Sequence, residues 1–204
     1  MATNDINRLI ANAAKSTLRP LGCKQKGTSR TWLDCHPLWV GVIEFQPHSW
    51  SNGSFLNAGA CWLWYEKDYF SFDEGYRVEA FKRFENDEQF TEAAVALAMR
   101  AHDEVLKLRA RFSSLERIAA HLKTKDFSDI WCNYHAAIAA TLTNDFAHAT
   151  KRFVAVAESP EAYPWAIELK DRSSKLQALA ANPAQFLDAI SRIVESSRTR
   201  LRLS

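Results

Sequence analysis

A cluster of polar side chains separates two apolar runs between residues 45 and 59, which read FQPHSWSNGSFLNAG. Its candidate ligand-binding residues are Gln46, His48, Ser49 and Asn57. Upstream, Lys24 and Lys26 lie in a short basic turn bounded by glycines, a composition that suits an anion. The segment from residue 24 to residue 57 therefore predicts either a polar binding site or a catalytic pocket.

Nucleophilic catalysis fits this segment poorly. His48 and Ser49 are adjacent, so on an extended backbone their side chains point to opposite faces and do not form a base–nucleophile pair. The chain also lacks a Gly-x-Ser-x-Gly elbow. A pocket enzyme would require the polar side chains to converge within about 3–4 Å of one point. The alternative is a hairpin turn at Asn52-Gly53, in which the polar groups satisfy the backbone at a bulge.

Motifs that bind metals or phosphates are incomplete or absent in this sequence. Cys132 and His135 share a face of a predicted helix, whereas Cys35 and His36 are adjacent on a predicted strand and diverge. No Cys-x-x-Cys pair and no glycine-rich phosphate loop occurs. The sequence therefore predicts neither a metal nor a cofactor.

A stretch rich in aromatic and acidic residues follows, CWLWYEKDYFSFDEGY at residues 61–76. This mixture is typical of protein-contact surfaces, and it predicts a basic protein partner. The candidate contact residues are Trp64, Tyr69 and Asp73. The alternative is that these aromatic side chains cover the sheet.

The overall charge gives no drive toward nucleic acid or membranes, because 26 basic and 24 acidic residues leave a net charge of +2. The charge is uneven: residues 1–40 hold six basic against two acidic side chains, and residues 66–92 hold nine acidic against four basic. Such zones suit a charged protein partner or a homodimer. The alternating tail SSRTRLRLS, with Arg198, Arg200 and Arg202, predicts a strand or an extended arm that could contact nucleic-acid phosphates. The favoured alternative is a tail that packs its leucines on the body of the protein.

Cysteine usage and hydropathy indicate the compartment. The four cysteines show no framework spacing, the first twenty residues lack the apolar core of a signal peptide, and no apolar run reaches the ~18 residues that span a bilayer. A reduced, cytoplasmic protein without a membrane span is expected.

Periodicity predicts an α+β fold. A helix over 4–18 precedes a small antiparallel sheet of three to four strands, and the strand LWVGVIEF is apolar on both faces, which predicts a central position. After Asn86 only helical patterns occur, and 127–158 predicts a helical hairpin of the tetratricopeptide type. A capping box of Asn86 and Gln89 predicts a helix over 87–110, and one of Ser113 and Glu116 predicts a helix over 114–123. Asp126 is predicted to cap 127–141, helices over 145–158 and 162–181 follow, and Asn182 with Pro183 opens 184–200. The predicted domains are an α+β sheet domain, 1–110, and a helical region, 111–204, that packs on it and does not fold alone.

Three segments together resemble a bacterial family of uncharacterised function: LRPLGCKQKGTSRTW, FQPHSWSNGSFLNAG and RFSSLERIAAHL. Its members share an N-terminal helix, a Leu-x-Pro-Leu-Gly-Phe-x-x-Lys-Gly turn, and a Gln-x-Ser element before Phe-x-x-Asn-x-Gly. The resemblance covers about residues 5–122. This chain departs from the pattern at Cys23, where Phe is usual, and by one extra residue between Gln46 and Ser49.

The resemblance implies an α+β domain without an assigned activity. Family members are similar in size to small cytoplasmic proteins encoded beside toxins or defence genes. The leading expectation is therefore a non-enzymatic protein-binding module, an immunity protein whose partner is a toxin or defence component. The alternative is a small-molecule or anion-binding enzyme that uses the polar segment 24–57.

Overall fold

The computed structural model describes residues 2–203, which divide into two compact units. The first unit consists of residues 2–63, 68–110 and 203, and the second of residues 64–67 and 111–202. Each unit has its own buried core. The packing of the helical region on the sheet domain stays a prediction.

The first unit begins with helix α1, Ala2–Leu18. Its apolar residues recur at helical spacing, and those on one face are buried: Ile6, Leu9, Ile10, Ala14 and Leu18. A single 3-10 turn, Arg19–Leu21, follows and ends at Gly22, whose φ of +84° is a left-handed conformation that glycine adopts without a steric penalty. The predicted helix and its end are thus confirmed.

A five-stranded antiparallel sheet forms the rest of the framework, with strand order β1-β2-β3-β4-β5. The strands are β1 Lys24–Gln25, β2 Thr31–Cys35, β3 Trp39–Glu44, β4 Gly53–Trp62 and β5 Glu74–Arg83. The α+β class is confirmed, and the predicted count of three to four strands is low. β1 has only two residues, and β5 is a charged edge strand in which apolar and polar residues do not alternate regularly. The sequence therefore did not predict either strand.

β3 lies in the middle of the sheet, as its apolar sequence predicted. Trp39 and Ile43 point to one face while Val40 and Val42 point to the other, and all four side chains are buried. Both faces of this strand are therefore covered.

Helix α2, Asp87–Arg111, covers the sheet face that carries Tyr76. Its start is the predicted capping box: Asn86 Oδ1 accepts from Gln89 N at 2.9 Å, and Gln89 Oε1 accepts from Glu85 N at 3.2 Å. The Tyr76 hydroxyl donates to the buried Glu104 carboxylate. Burial acts to raise the pKa of Glu104, but hydrogen bonds from Lys107 and Tyr76 outweigh it and lower that pKa.

The second unit contains five helices among its described residues. They are α3 Leu115–Lys123, α4 Ile130–Leu142, α5 Phe146–Ala157, α6 Pro164–Leu179 and α7 Pro183–Arg200. A helical C-terminal half is therefore confirmed, and α4 and α5 pair as a helical hairpin. In the described part of the chain, no helix combines the length and the apolar character needed to cross a membrane.

The caps of these helices follow the sequence with small shifts. Asn182 caps α7 with Pro183 in its first turn, as predicted, while the N-cap of α3 is Ser114 rather than Ser113. Asp126 does not cap α4, because its carboxylate accepts from Ser128 N in the preceding turn and Asp129 takes the cap.

The predicted extended arm at the C-terminus is wrong, whereas the burial of Leu201 agrees with the alternative of a tail that packs its leucines. Arg198 and Arg200 lie in the last turn of α7, and Leu201 is buried. Leu201 N donates to Ser197 O at 2.9 Å, which continues the helical bonding, and Ser197 Oγ donates to Tyr65 O at 3.3 Å. Burial on one helical face outweighs the short alternation that favoured an extended chain.

Candidate functional site

A row of polar side chains crosses one face of the sheet in the first unit. Antiparallel pairing places Thr31 opposite Glu44, Glu44 opposite Asn57, and Asn57 opposite Arg77. Residues directly opposite one another in a sheet point to the same face. With Gln46, two residues beyond Glu44 on the same face, these residues are called the polar row below.

Hydrogen bonds fix the polar row in place. Asn57 Nδ2 donates to Glu44 Oε2 at 3.1 Å and to Gln46 Oε1 at 2.9 Å. Arg77 donates from its terminal nitrogen to Gln46 Oε1 at 3.0 Å and from Nε to Asn57 Oδ1 at 3.4 Å. Two amides, Asn57 on β4 and Gln46 just beyond β3, therefore hold one guanidinium.

The Arg77 guanidinium is both oriented and exposed. It lies 3.8 Å from the centre of the Phe55 ring, a stacked cation–π arrangement. Among the described residues no carboxylate forms an ion pair with it, and its second terminal nitrogen makes no hydrogen bond to them. A planar guanidinium held in this way presents donors to a carboxylate or another acceptor, because its geometry is already set.

Aromatic rings flank the polar row at the hairpin between β3 and β4. The centres of the His48, Phe55 and Phe81 rings are 5.1 to 5.8 Å apart. Trp50, at the tip, is 91% exposed, and its backbone N–H donates to His48 Nδ1 at 3.1 Å. We call His48, Trp50, Phe55 and Phe81 the aromatic flank.

Gly53 makes this hairpin possible. Its φ is +151°, and a Cβ built on it would lie 2.2 Å from Lys82 O. Only glycine tolerates that close approach of β5 to the turn. The Asn52-Gly53 signal in the sequence therefore marks the start of β4, and the chain between Glu44 and Gly53 forms the loop.

The structure brings only two of the six predicted pocket residues together, Gln46 and Asn57. Lys26 lies beside the β1 edge of the sheet, about 14 Å from Asn57 across three strand spacings, and its backbone N–H donates to Thr31 O. Its side-chain Nζ lies 4.8 Å from the centre of the Phe70 ring. Lys24 is opposite Leu33 on β2, and Ser49 is exposed in the hairpin loop beside His48. These residues are spread along the sheet face and its loop rather than gathered around one point.

The predicted aromatic–acidic contact surface is divided. Trp64 belongs to the second unit and is completely buried, with its Nε1 donating to His135 Nδ1 at 2.9 Å, so it is not a contact residue. Asp73 Oδ2 accepts from the backbone N–H of Trp62 at 2.8 Å, so it supports the chain locally. Tyr69 is 63% exposed and remains available on the first unit. Aromatic composition alone could not separate the core residues from the exposed one.

The Cys132 and His135 pair has no metal-site geometry. His135 is buried, and its Nδ1 already accepts the Trp64 indole N–H. Over the described residues, no group of three or more potential ligands is placed to hold a metal ion.

A buried ionic group in the first unit had no signal in the sequence. Arg109 donates to both carboxylate oxygens of Asp34, at 2.9 and 2.7 Å, and to Leu21 O at 2.6 Å. His36 Nε2 lies 2.8 Å from Asp34 Oδ2. Burial acts to raise the pKa of Asp34, but the hydrogen bonds and charges of Arg109 and His36 outweigh it and lower that pKa.

The buried Cys23 thiol lies close to this ionic group. Burial first, and then the negative charge of Asp34, raises the pKa of the Cys23 thiol to about 12. The thiol therefore stays protonated near neutral pH, whereas a nucleophilic cysteine needs a thiolate. The role of the ionic group is structural.

We expect Asp34→Asn to lower the free energy of unfolding by about 2 kcal/mol at pH 7, because Arg109 loses a charged partner. The folded-state pKa of Asp34 is lowered, so its contribution is complete above the unfolded pKa of about 3.9 and is lost as pH falls through the folded value. Urea unfolding from pH 7 down to pH 2 should show the difference between wild type and variant shrinking below about pH 4. Asp103→Asn, on the exposed side of α2, is the control; a constant difference for Asp34→Asn across the series contradicts the assignment.

No protein-family model, curated protein or solved structure matches this chain. The family resemblance noted in the sequence therefore stays a prediction.

Proposed function

We propose that the protein is a non-enzymatic binding module that holds a partner protein on the polar row and the aromatic flank of its sheet. The observation that carries the proposal is the Arg77 guanidinium, held by Gln46 and Asn57 and stacked on Phe55 while it remains exposed and without a carboxylate among the described residues. Arginine fixed in this way is characteristic of interface positions, because little side-chain entropy is lost when a partner binds.

The shape of the surface favours a macromolecular partner over a small ligand. The polar row extends about 14 Å across four strands, and the aromatic flank continues it to the exposed Trp50. Exposed aromatic residues beside a fixed arginine are the composition of protein-contact hot spots. An exposed hairpin loop of this kind offers contact area to a partner and does not enclose a metabolite.

The chemistry of the partner follows from the donors of the polar row. Arg77 and the Gln46 amide present N–H groups, so the partner is proposed to place an acidic side chain over Arg77 and an apolar side chain against the aromatic flank. This differs from the basic partner predicted by the stretch 61–76, because Trp64 is buried and Asp73 bonds to the backbone. That the partner is a toxin or defence component rests on the sequence resemblance and stays a prediction.

We expect Arg77→Ala to weaken partner capture at least about tenfold, since a hydrogen bond to a charged group contributes about 1.5–3 kcal/mol and 1.4 kcal/mol is a tenfold change. Tagged wild-type protein and variants would be used to capture partners, and each captured protein would be quantified. Arg83→Ala is the matched control, because Arg83 is an exposed arginine on the same strand outside the polar row.

A partner lost with Arg77→Ala and with Trp50→Ala, but retained with Arg83→Ala, supports the proposal. A partner that all three variants retain at wild-type levels contradicts it. Arg77→Ala and Trp50→Ala, both at exposed side chains, are expected to change the free energy of unfolding by less than about 0.5 kcal/mol. Loss of capture by these variants would therefore not reflect unfolding.

A further inference from the structure

The second unit contains a cavity of about 350 Å³ between helices α6 and α7. Its lining residues come from four segments: Glu66, Tyr134 on α4, Arg172, Lys175, Leu176 and Leu179 on α6, and Ala189, Arg192 and Ile193 on α7. The spacing of three and four residues on each helix places these side chains on facing sides of the groove. The volume lies at the lower end of the range for small-molecule pockets, about 300–1,000 Å³.

The walls of the cavity are apolar. Four of its lining side chains, Leu176, Leu179, Ala189 and Ile193, have no polar atom. Tyr134 adds a ring from α4, and its hydroxyl donates to Trp64 O at 3.3 Å, so that polar end is already satisfied. A hydrocarbon group of a ligand would therefore meet apolar surface.

Positive charge dominates the polar part of the lining. Three cations, Arg172, Lys175 and Arg192, line the cavity with a single carboxylate, Glu66. Lys175 and Arg192 pair with acids one turn earlier, at 2.6 and 2.5 Å, and these acids are not among the lining residues. Both pairs are largely exposed, so they are weak and exchange readily for a stronger acceptor.

The Glu66 carboxylate already accepts hydrogen bonds within the second unit. It accepts from Arg172 at 3.2 Å, and the Arg172 guanidinium also lies 4.9 Å from the centre of the Tyr65 ring. Hydrogen bonds from Ser196 and then Arg172 lower the pKa of Glu66 in spite of its partial burial. Arg172 therefore holds Glu66, while Lys175 and Arg192 remain for a bound anion.

We infer that this cavity binds an amphipathic anion, a small molecule with a hydrocarbon body and one carboxylate. The hydrocarbon body lies between the facing apolar sides of α6 and α7, and the carboxylate accepts from Lys175 and Arg192 at the rim. The charge of the rim and the apolar walls together select this class over neutral hydrocarbons and over cations. The site lies in the second unit and does not depend on the polar row.

The probe is decanoate, titrated below its micelle concentration into the full chain and followed by calorimetry. Wild-type protein should bind decanoate, and decanol should bind at least about tenfold more weakly, because it lacks the charged acceptor. The double variant Lys175→Gln/Arg192→Gln should weaken decanoate binding by about tenfold or more and leave decanol binding unchanged. Lys151→Gln, on the exposed face of α5, is the control and should bind as wild type does.

A second variant tests the location of the site. Ile193→Trp fills the groove and should abolish binding of both probes, while circular dichroism checks that its helices are intact. Absence of decanoate binding by the wild type, or equal binding of decanoate and decanol, would overturn the inference. Decanoate binding that survives both the double variant and Ile193→Trp would overturn it as well, since the ligand would then occupy another place.

Discussion

Replacing Arg152 with alanine is expected to lower the free energy of unfolding by about 3–5 kcal/mol. Arg152 is completely buried in the second unit, although it is an arginine on a helix that otherwise buries alanine, phenylalanine and valine. An arginine in such a position is stable only when its charge and its donors are all satisfied.

The partners of Arg152 are mainly backbone carbonyl groups in the connection between α3 and α4. Its guanidinium donates to Lys123 O at 3.2 Å, Lys125 O at 2.6 Å and Asp126 O at 3.1 Å. It also donates to Asn133 Oδ1 at 2.8 Å. Lys123 is the last residue of α3, where the helix dipole is negative and a cation is favourable.

The large expected effect of Arg152→Ala follows from these acceptors. The carbonyl groups at the end of α3 would lose their donor in a partly buried position, and each unsatisfied group costs about 1–3 kcal/mol. The Phe127 ring, 3.6 Å from the guanidinium, would lose its stacking partner. The connection from α3 to α4 would therefore lose the side chain that holds these three carbonyl groups.

Urea unfolding followed by circular dichroism measures this effect, with two reference variants. Arg152→Lys keeps the charge but not the fork of donors, and we expect a smaller loss, about 2 kcal/mol. Lys151→Ala changes the exposed neighbour and should alter the free energy of unfolding by less than about 0.5 kcal/mol. Equal stability of Arg152→Ala and Lys151→Ala would show that the carbonyl groups do not need Arg152.

Replacing Trp64 with alanine is expected to lower the free energy of unfolding by about 3–5 kcal/mol. Trp64 is completely buried, and its indole N–H donates to His135 Nδ1 at 2.9 Å. Alanine would leave a cavity the size of an indole ring and remove the donor to a buried acceptor.

Trp50→Ala is the matched control, because the same substitution is made at a tryptophan that is 91% exposed. It should change the free energy of unfolding by less than about 0.5 kcal/mol in the same urea experiment. Trp64→Phe keeps most of the ring and removes the N–H donor, so an intermediate loss of about 1–3 kcal/mol is expected. If Trp64→Ala and Trp50→Ala unfold at the same urea concentration, the burial of Trp64 is contradicted.

The burial of Trp64 determines which variants can test binding. A combined alanine substitution of Trp64, Tyr69 and Asp73 would remove three different kinds of side chain. Trp64 is a core residue, Asp73 accepts a hydrogen bond from the Trp62 backbone N–H, and Tyr69 is an exposed ring. If this triple variant failed to capture a partner, the result would not distinguish unfolding from the loss of a binding contact. Arg77→Ala and Trp50→Ala avoid this difficulty because both side chains are exposed.

The sequence by itself determined the local elements of this protein. Asn86 and Gln89 form the predicted capping box, Asn182 caps α7, and Gly22 ends the first helical segment. The two apolar faces of β3 predicted its central position. Such features depend on hydrogen bonds and side-chain periodicity within a few residues, so a short window of sequence contains them.

Only the tertiary structure decided which of the candidate residues act together. Sheet register aligns Thr31, Glu44, Asn57 and Arg77, and of these only Asn57 had been selected from the sequence. The edge strand that supplies Arg77 mixes charged and apolar residues and gave no strand pattern. Pairing between distant strands is set by burial of whole faces, which no local window reports.

The same reason separates the two tryptophans. Trp50 and Trp64 are 14 positions apart, the first in a polar stretch and the second in an aromatic one, and Trp50 is 91% exposed while Trp64 is completely buried. His135, 71 residues further along the chain, accepts the Trp64 N–H in this buried position. Residue type gave the capacity for burial or for contact, and long-range packing decided between them.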